Sequence, residues 1–247
     1  MNGAYNLNLV ALSYLIAVLA AYTALDMAGR VTASKGRMAL VWLAGGAVAM
    51  GTGIWSMHFI GMLAFKLPIA VGYDLAITLF SLVAAVIVSA IALYIVSRSQ
   101  LTPKTVAVGA VLMGTGICIM HYSGMAAMRM QPGIEYDPLL FAASALIAVT
   151  ASAVALFIAF KLRDAISRKI YLFRGGAALV MGLAIVGMHY TGMAAANFAP
   201  NSLCLARDSL TGNWTATPVS LFTIALLAAS LALSVLDARM RARAEAA

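Results

Sequence analysis

Three stretches decide the fold. The first is Met50-Gly51-Thr52-Gly53-Ile54-Trp55-Ser56-Met57-His58-Phe59-Ile60-Gly61-Met62-Leu63-Ala64. The second is Met113-Gly114-Thr115-Gly116-Ile117-Cys118-Ile119-Met120-His121-Tyr122-Ser123-Gly124-Met125-Ala126-Ala127. The third is Met181-Gly182-Leu183-Ala184-Ile185-Val186-Gly187-Met188-His189-Tyr190-Thr191-Gly192-Met193-Ala194-Ala195. They share the pattern M-G-x-x-I-x-x-M-H-x-x-G-M-x-A, stand 63 and 68 residues apart, and contain all 3 histidines of the chain. Recurrence at a fixed spacing marks an internal repeat. Each stretch lies in an apolar run long enough to cross a bilayer, for which about 20 residues suffice.

Outward from the motifs, apolar runs occupy residues 7–27, 38–65, 75–96, 105–128, 139–160, 175–198 and 219–236, with Pro68, Pro103, Pro132, Pro138, Pro200 and Pro218 between or beside them. The chain is 64% apolar and only 10% charged, whereas soluble domains carry about 25% charged residues. Soluble enzymes, nucleic-acid binders and disordered tails are excluded. The first run has no Lys or Arg before it and no small-residue cleavage site after it, so a membrane span rather than a signal peptide is expected. Each repeat unit holds two crossings, which restore the chain direction. The expected fold is an all-α membrane protein in which seven transmembrane helices form one domain over residues 1–247. Three parallel two-helix repeats surround a pseudo-threefold axis along the membrane normal, and one helix is additional.

Charge orients the bundle. Arg30, Lys35, Arg37, Arg98, Lys104, Lys161, Arg163, Arg168, Lys169, Arg174, Arg239, Arg241 and Arg243 fall on one side, and only Lys66, Arg129 and Arg207 on the other. The positive-inside rule then places the N-terminus outside and the C-terminus in the cytoplasm. The net charge of +8 is thereby read as topology, with no nucleic-acid partner. The longest outer connection, residues 199–217, is too short for a soluble catalytic domain, and no enzyme is expected.

In this orientation the motif segments all run from cytoplasm to outside. Each histidine lies about two turns before the outer end, roughly 10 Å inside the interface at 1.5 Å per residue. Gly51, Ile54, His58 and Gly61/Met62 form one helical stripe, repeated as Gly114, Ile117, His121 and Gly124/Met125 and as Gly182, Ile185, His189 and Gly192/Met193. Small residues let transmembrane helices approach closely, so the stripe is expected at a helix–helix contact. Histidines in a membrane mark function by default, with interhelical hydrogen bonding as the structural alternative. His58, His121 and His189 with Met62, Met125 and Met193 one turn on offer three imidazoles and three thioethers. Met57, Met120 and Met188 point about 100° away and are expected to pack beside the ligands. This soft N/S donor set favours copper, with zinc or haem iron less suited.

Met120-His121-Tyr122-Ser123 and Met188-His189-Tyr190-Thr191, with Met57-His58-Phe59-Ile60, resemble the signature of the MHYT family of bacterial integral-membrane sensors. Only the third copy spells it in full, and Phe59 and Ile60 depart from it, so a role for the motif tyrosine hydroxyl cannot extend to every repeat. The resemblance spans nearly the whole chain. It implies a bacterial inner-membrane domain that binds Cu(I)/Cu(II) through motif His and Met residues and senses oxygen, carbon monoxide or nitric oxide. It also implies a cytoplasmic signalling partner or a fused output domain, since family members often carry cyclic di-GMP or histidine kinase domains. Copper transport is the rival reading, because Met50, Met113 and Met181 could form a second thioether ring about two turns deeper. A membrane metalloenzyme or haem-copper assembly factor would need an acid/base group beside the metal, and none is evident.

The remaining polar residues have quieter expectations. Asp26 and Asp237 are expected to pair with Arg30 and Arg241 one turn on. Cys118, one turn deeper than His121, is read as a buried thiol near the ligands, and a disulfide to Cys204, in the outer loop with Trp214, is not expected. Asn197 is placed on the ligand face beyond Met193 as a neighbouring donor. Tyr14 and Tyr22 are expected to pack or sit in the interfacial belt, and Arg239–Arg243 to meet anionic lipid.

Overall fold

The computed structural model describes residues 1, 3–163, 169–211 and 215–245. Among them are seven helices: α1 (Leu7–Ala33), α2 (Gly36–Ala64), α3 (Leu75–Val96), α4 (Pro103–Ala126), α5 (Pro138–Leu162), α6 (Ile170–Ala195) and α7 (Ala216–Glu245). All seven are long and apolar enough to span a membrane. Arg168 and Trp214 lie outside the described residues, as does the side chain of Arg241.

The helix starts are written in the sequence. Asn6, Asp74 and Asp137 cap α1, α3 and α5, their side-chain oxygens accepting from the first free backbone N–H groups. Thr102 caps α4, with Pro103 in its first turn. The same three caps also close the ends of the motif helices. Backbone N–H groups of Asn6, Asp74 and Asp137 donate to the carbonyls of Ala64, Ala127 and Ala195, each at 2.8 Å. Those alanines are the last residue of the motif, so every motif helix ends at an equivalent bond. This is why α6 stops at Ala195 rather than running to residue 198. At its other end α6 begins at Ile170, earlier than hydropathy suggests, because Arg174 is buried there against Asp26. Similarly, α1 and α7 continue past their apolar runs, where Arg30 and Asp237 meet.

Helices α1 to α6 form a closed ring in chain order, α6 returning to α1, and α7 packs outside against α1 and α2. Among the described residues, eight two-residue strands close the end of the ring nearest the histidines. They form four antiparallel pairs: β1 (Ala4–Tyr5) with β2 (Phe65–Lys66), β3 (Gly72–Tyr73) with β8 (Leu210–Thr211), β4 (Met130–Gln131) with β7 (Leu203–Cys204), and β5 (Glu135–Tyr136) with β6 (Ala196–Asn197). Beneath this cap lies an apolar cluster including Phe59, Tyr73, Met128 and Phe198. Burial pushes the Tyr5 and Tyr136 hydroxyls up to about 12, helped by Tyr190 and Tyr122 respectively, so neither cap phenol carries charge at neutral pH.

Asp26 and Asp237 at the opposite end pair across helices. Asp26 accepts from Arg174 of α6 at 3.1 Å and from Ser234 of α7, while Arg30 meets Asp237 of α7 at 3.7 Å. For Asp26 the helix-internal pair expected from spacing gives way because the chain brings three helix ends together there, whereas the pair expected between Asp237 and Arg241 falls on a side chain outside the described residues. Both cysteines are free. Cys204 is buried in the cap, its thiol donating to the Met128 carbonyl at 2.9 Å. Tyr14 donates to the Leu179 carbonyl of α6.

Candidate metal centre

Each motif position has a definable task, and the histidine layer follows from them together. The first glycine of each motif, Gly51, Gly114 or Gly182, lies against the backbone of Val86, Val149 or Val18 on the next odd-numbered helix. That contact seats α2 on α3, α4 on α5 and α6 on α1. One turn beyond each histidine, the second glycine leaves room for the imidazole of a neighbouring motif helix. A Cβ built on Gly61 would stand 2.2 Å from Nε2 of His189, one on Gly124 2.2 Å from Nε2 of His58, and one on Gly192 2.4 Å from Nε2 of His121. No side chain fits at that separation, so glycine here is a requirement of close approach.

With the Nε2 edges lodged against glycine, the Nδ1 atoms converge. Nδ1 of His58 lies 3.0 Å from Nδ1 of His189 and 3.1 Å from Nδ1 of His121. Ring centroids are 4.8, 5.0 and 5.2 Å apart and the rings meet edge to face. All three side chains are buried, at 0%, 1% and 1% exposure. Among the described residues they form the one cluster of His, Cys and acidic groups close enough to share a metal ion, with one ligand atom from each within 4.8 Å of the others.

Metal–imidazole bonds of about 2.0–2.1 Å separate the nitrogens of a tetrahedral or trigonal site by about 3.3–3.6 Å. The two Nδ1 separations from His58, 3.0 and 3.1 Å, are within a few tenths of an ångström of that. Without an ion, neutral imidazoles can satisfy the Nδ1 contacts only if one ring accepts from the other two, and the Nε2 atoms remain buried without a hydrogen-bond partner. Nε2 of His189 approaches the Gly61 backbone without reaching hydrogen-bond geometry. If all three Nδ1 atoms held one ion, each Nε2 would carry the ring proton and lie against a motif glycine of a neighbouring helix. The residues present fit a three-coordinate or four-coordinate N-donor ion.

The thioethers occupy both sides of this layer. Met62, Met125 and Met193 are buried in the apolar cluster under the strand cap. Met57, Met120 and Met188 line a cavity of about 350 Å³ on the opposite side, with Met50, Met113 and Met181 deeper in its wall. Cys118 is half-buried on α4 and does not line that cavity. Asn197 is not on the ligand stripe: α6 ends two residues earlier, and Asn197 is an exposed residue of β6 opposite Glu135. The extrapolated helical register fails because the Asp137–Ala195 bond terminates the helix first.

A set of supporting residues escaped the sequence reading. Buried serines Ser13, Ser81 and Ser144 on α1, α3 and α5 are spaced by the same 68 and 63 residues. Tyr190 reaches Ser13 at 3.1 Å and Tyr122 reaches Ser144 at 2.6 Å. In the first repeat, where Phe59 replaces the tyrosine, Trp55 Nε1 donates to Ser81 at 3.0 Å and its indole stacks on Phe59 at 5.3 Å. The role foreclosed for the motif tyrosine is thus met by a different residue one turn earlier. The serine spacing was the available signal, but serines are common enough that it stands out only once the partners are seen.

Residues 51–109, 114–170 and 182–247 each match the MHYT family, described as a bacterial signalling protein N-terminal repeat. The chain is similar to the bifunctional diguanylate cyclase/cyclic di-GMP phosphodiesterase MucR of Pseudomonas aeruginosa, at 60% identity over 240 residues that cover 97% of this chain and 35% of that protein. It is also similar to the cyclic di-GMP phosphodiesterase NbdA of Pseudomonas aeruginosa, at 43% identity over 86% of this chain and 28% of NbdA. Similarity to the signaling protein YkoW of Bacillus subtilis is 42% over 78% of this chain and 24% of YkoW. The chain therefore spans about a third or less of the length of these curated relatives. No solved structure matches it.

Proposed function

The chain belongs to the MHYT family of bacterial signalling proteins, a multi-pass membrane family, and from that premise we propose that it is an inner-membrane sensor that holds copper between His58, His121 and His189. The signal is a diatomic gas or a change of redox state, and the output is a cytoplasmic partner or domain that turns over cyclic di-GMP, the chemistry named in two of its relatives. The observation that carries this reading is the meeting of the three Nδ1 atoms, at 3.0 and 3.1 Å. When bound, copper supplies a centre whose preferred geometry differs between its two oxidation states and whose open positions accept a gas.

The chain's own residues perform the rest. His58, His121 and His189 hold the ion, and the thioethers of Met62, Met125 and Met193 on one side or Met57, Met120 and Met188 on the other are the soft, weaker donors. Each imidazole is wedged against the glycine of a neighbouring motif helix, so a change in the triangle must move α2, α4 and α6 relative to one another. Equivalent contacts at offsets of 63 and 68 residues support three parallel repeats about a pseudo-threefold axis within a single domain. Basic residues gathered at the opposite end support an N-out, C-in orientation. The moving ends of the motif helices would then face the cytoplasm, close to the Asp26, Arg30, Arg174 and Asp237 network.

Copper transport keeps one specific observation in its favour. Met50, Met113 and Met181 line both the large cavity and a smaller one near the opposite end of the ring. Proteoliposomes separate the two readings. Sensing predicts copper that stays bound to the protein and a nitric oxide- or carbon monoxide-dependent spectral change; copper accumulating in the lumen, with no such change, overturns it.

A further inference from the structure

We propose that the cavity beside the histidine layer is entered from the bilayer core through the gap between α5 and α6, and that its ligand is a small uncharged molecule dissolved in the lipid. The inference rests on reading the histidine layer as the sensing site and adds the route and chemical class of what reaches it. The cavity, about 350 Å³, begins at the three imidazoles. It emerges on the apolar outer surface where Thr150 and Val154 of α5 face Val180 of α6, with Val154 51% and Val180 59% exposed.

Of the three equivalent gaps, this one alone is open among the described residues. Ala20 and Gly53, Val88 and Gly116, and Ala151 and Ala184 occupy matching positions in the three repeats. Between α3 and α4 the Val88 side chain fills the space, so that a Cβ on Gly116 would stand 2.0 Å from it. Between α1 and α2, a Cβ on Gly53 would meet Ala20 at 2.6 Å and Leu227 of α7 at 3.6 Å. Helix α7 covers that gap, and Leu227 packs with Ala20 and Ala49. Between α5 and α6 the matching positions carry no valine and, among the described residues, no helix covers the gap, so Ala151 and Ala184 become cavity wall.

The lining defines the class of ligand. Among the described residues no charged side chain reaches the cavity. Its two hydroxyls, on Thr150 and Ser152, already donate to the carbonyls of Leu146 and Ala148 on their own helix. A polar or ionic ligand would find no partner short of the histidines, whereas apolar cavities take up uncharged apolar molecules, xenon among them.

Xenon is therefore the probe. The whole chain in lipid nanodiscs, with and without copper, is examined by xenon NMR as wild type, as Ala151→Val/Ala184→Leu, which fills the gap, and as Val154→Trp, which covers its mouth from outside. Leu112→Phe, on the lipid-facing surface of α4 at the position matching Val180, is the control. The expected result is a saturable xenon site in wild type and the control that is lost in both gap variants, with helicity unchanged by circular dichroism. Absence of a saturable site in wild type, or its persistence in Val154→Trp and in a folded gap-filled protein, overturns the proposal. Copper content of the same samples keeps the two claims apart: xenon uptake without copper binding refutes the metal reading alone.

Discussion

The two ends of the helix ring are built on different principles. At the histidine end the contacts are largely neutral and are made three times over. A cap residue bonds the end of each motif helix, an imidazole lodges on each second glycine, and an aromatic residue reaches each buried serine. At the opposite end the contacts are charged and made once. Arg174 binds Asp26, Arg30 meets Asp237, and Ser234 bridges the two pairs, accepting from Arg30 at 2.6 Å and donating to Asp26. The repeated end needs equivalent donors around one point, which repetition supplies. The opposite end ties α1, α6 and α7 together, a task with no counterpart in the other repeats. In the proposed function, recognition belongs to the symmetric end and transmission to the asymmetric one.

Substitutions at either end test whether that division holds. The largest stability loss is expected from Arg174→Met, which removes the principal partner of Asp26, whose side chain is only 12% exposed; breaking such a pair costs roughly 3 kcal/mol. Thermal unfolding should register it while copper content stays at the wild-type level, and a parallel loss of copper would break the division. Gly124→Ala follows, with an overpacking cost of about 1–3 kcal/mol and a fall in copper affinity of roughly 10–100-fold as His58 is displaced. Gly61→Ala and Gly192→Ala should behave alike in copper titrations, and widely different results would mean that the repeats are not equivalent. Asp137→Ala removes a cap oxygen that accepts from two backbone N–H groups, for about 1 kcal/mol in a denaturation midpoint. The smallest effect belongs to Trp55→Phe, about 0.6 kcal/mol for a lost interhelical hydrogen bond. Adding Phe59→Tyr to that variant should restore the loss, because the new hydroxyl takes the place that Tyr122 and Tyr190 occupy in the other repeats; no recovery would sever the link between the three serines.

Much of this was legible in the chain itself. Seven apolar runs give seven helices long enough to span a membrane, and the shared depth of His58, His121 and His189 becomes a cluster in the fold. The motif glycines were readable as points of close approach, although which imidazole meets which glycine depends on the order of helices around the ring. Other features depend on partners from distant segments. Spacing along a helix suggested Asp26–Arg30, but α6 and α7 bring Arg174 and Ser234 nearer to Asp26. Helical periodicity set Met62, Met125 and Met193 on the histidine stripe without showing that the next methionines, Met57, Met120 and Met188, would line the cavity. Asn197 was misplaced because a backbone bond from another helix cap, invisible to hydropathy, ends α6.

Copper content settles the central claim most directly. The chain should be purified in detergent as wild type and as His58→Ala/His121→Ala/His189→Ala, loaded with copper, and examined by elemental analysis and electron paramagnetic resonance. One tightly held copper per wild-type chain, with nitrogen hyperfine structure from imidazole and none in the triple variant, is the predicted result. A wild-type protein that retains no copper, or a triple variant that retains as much, would contradict it.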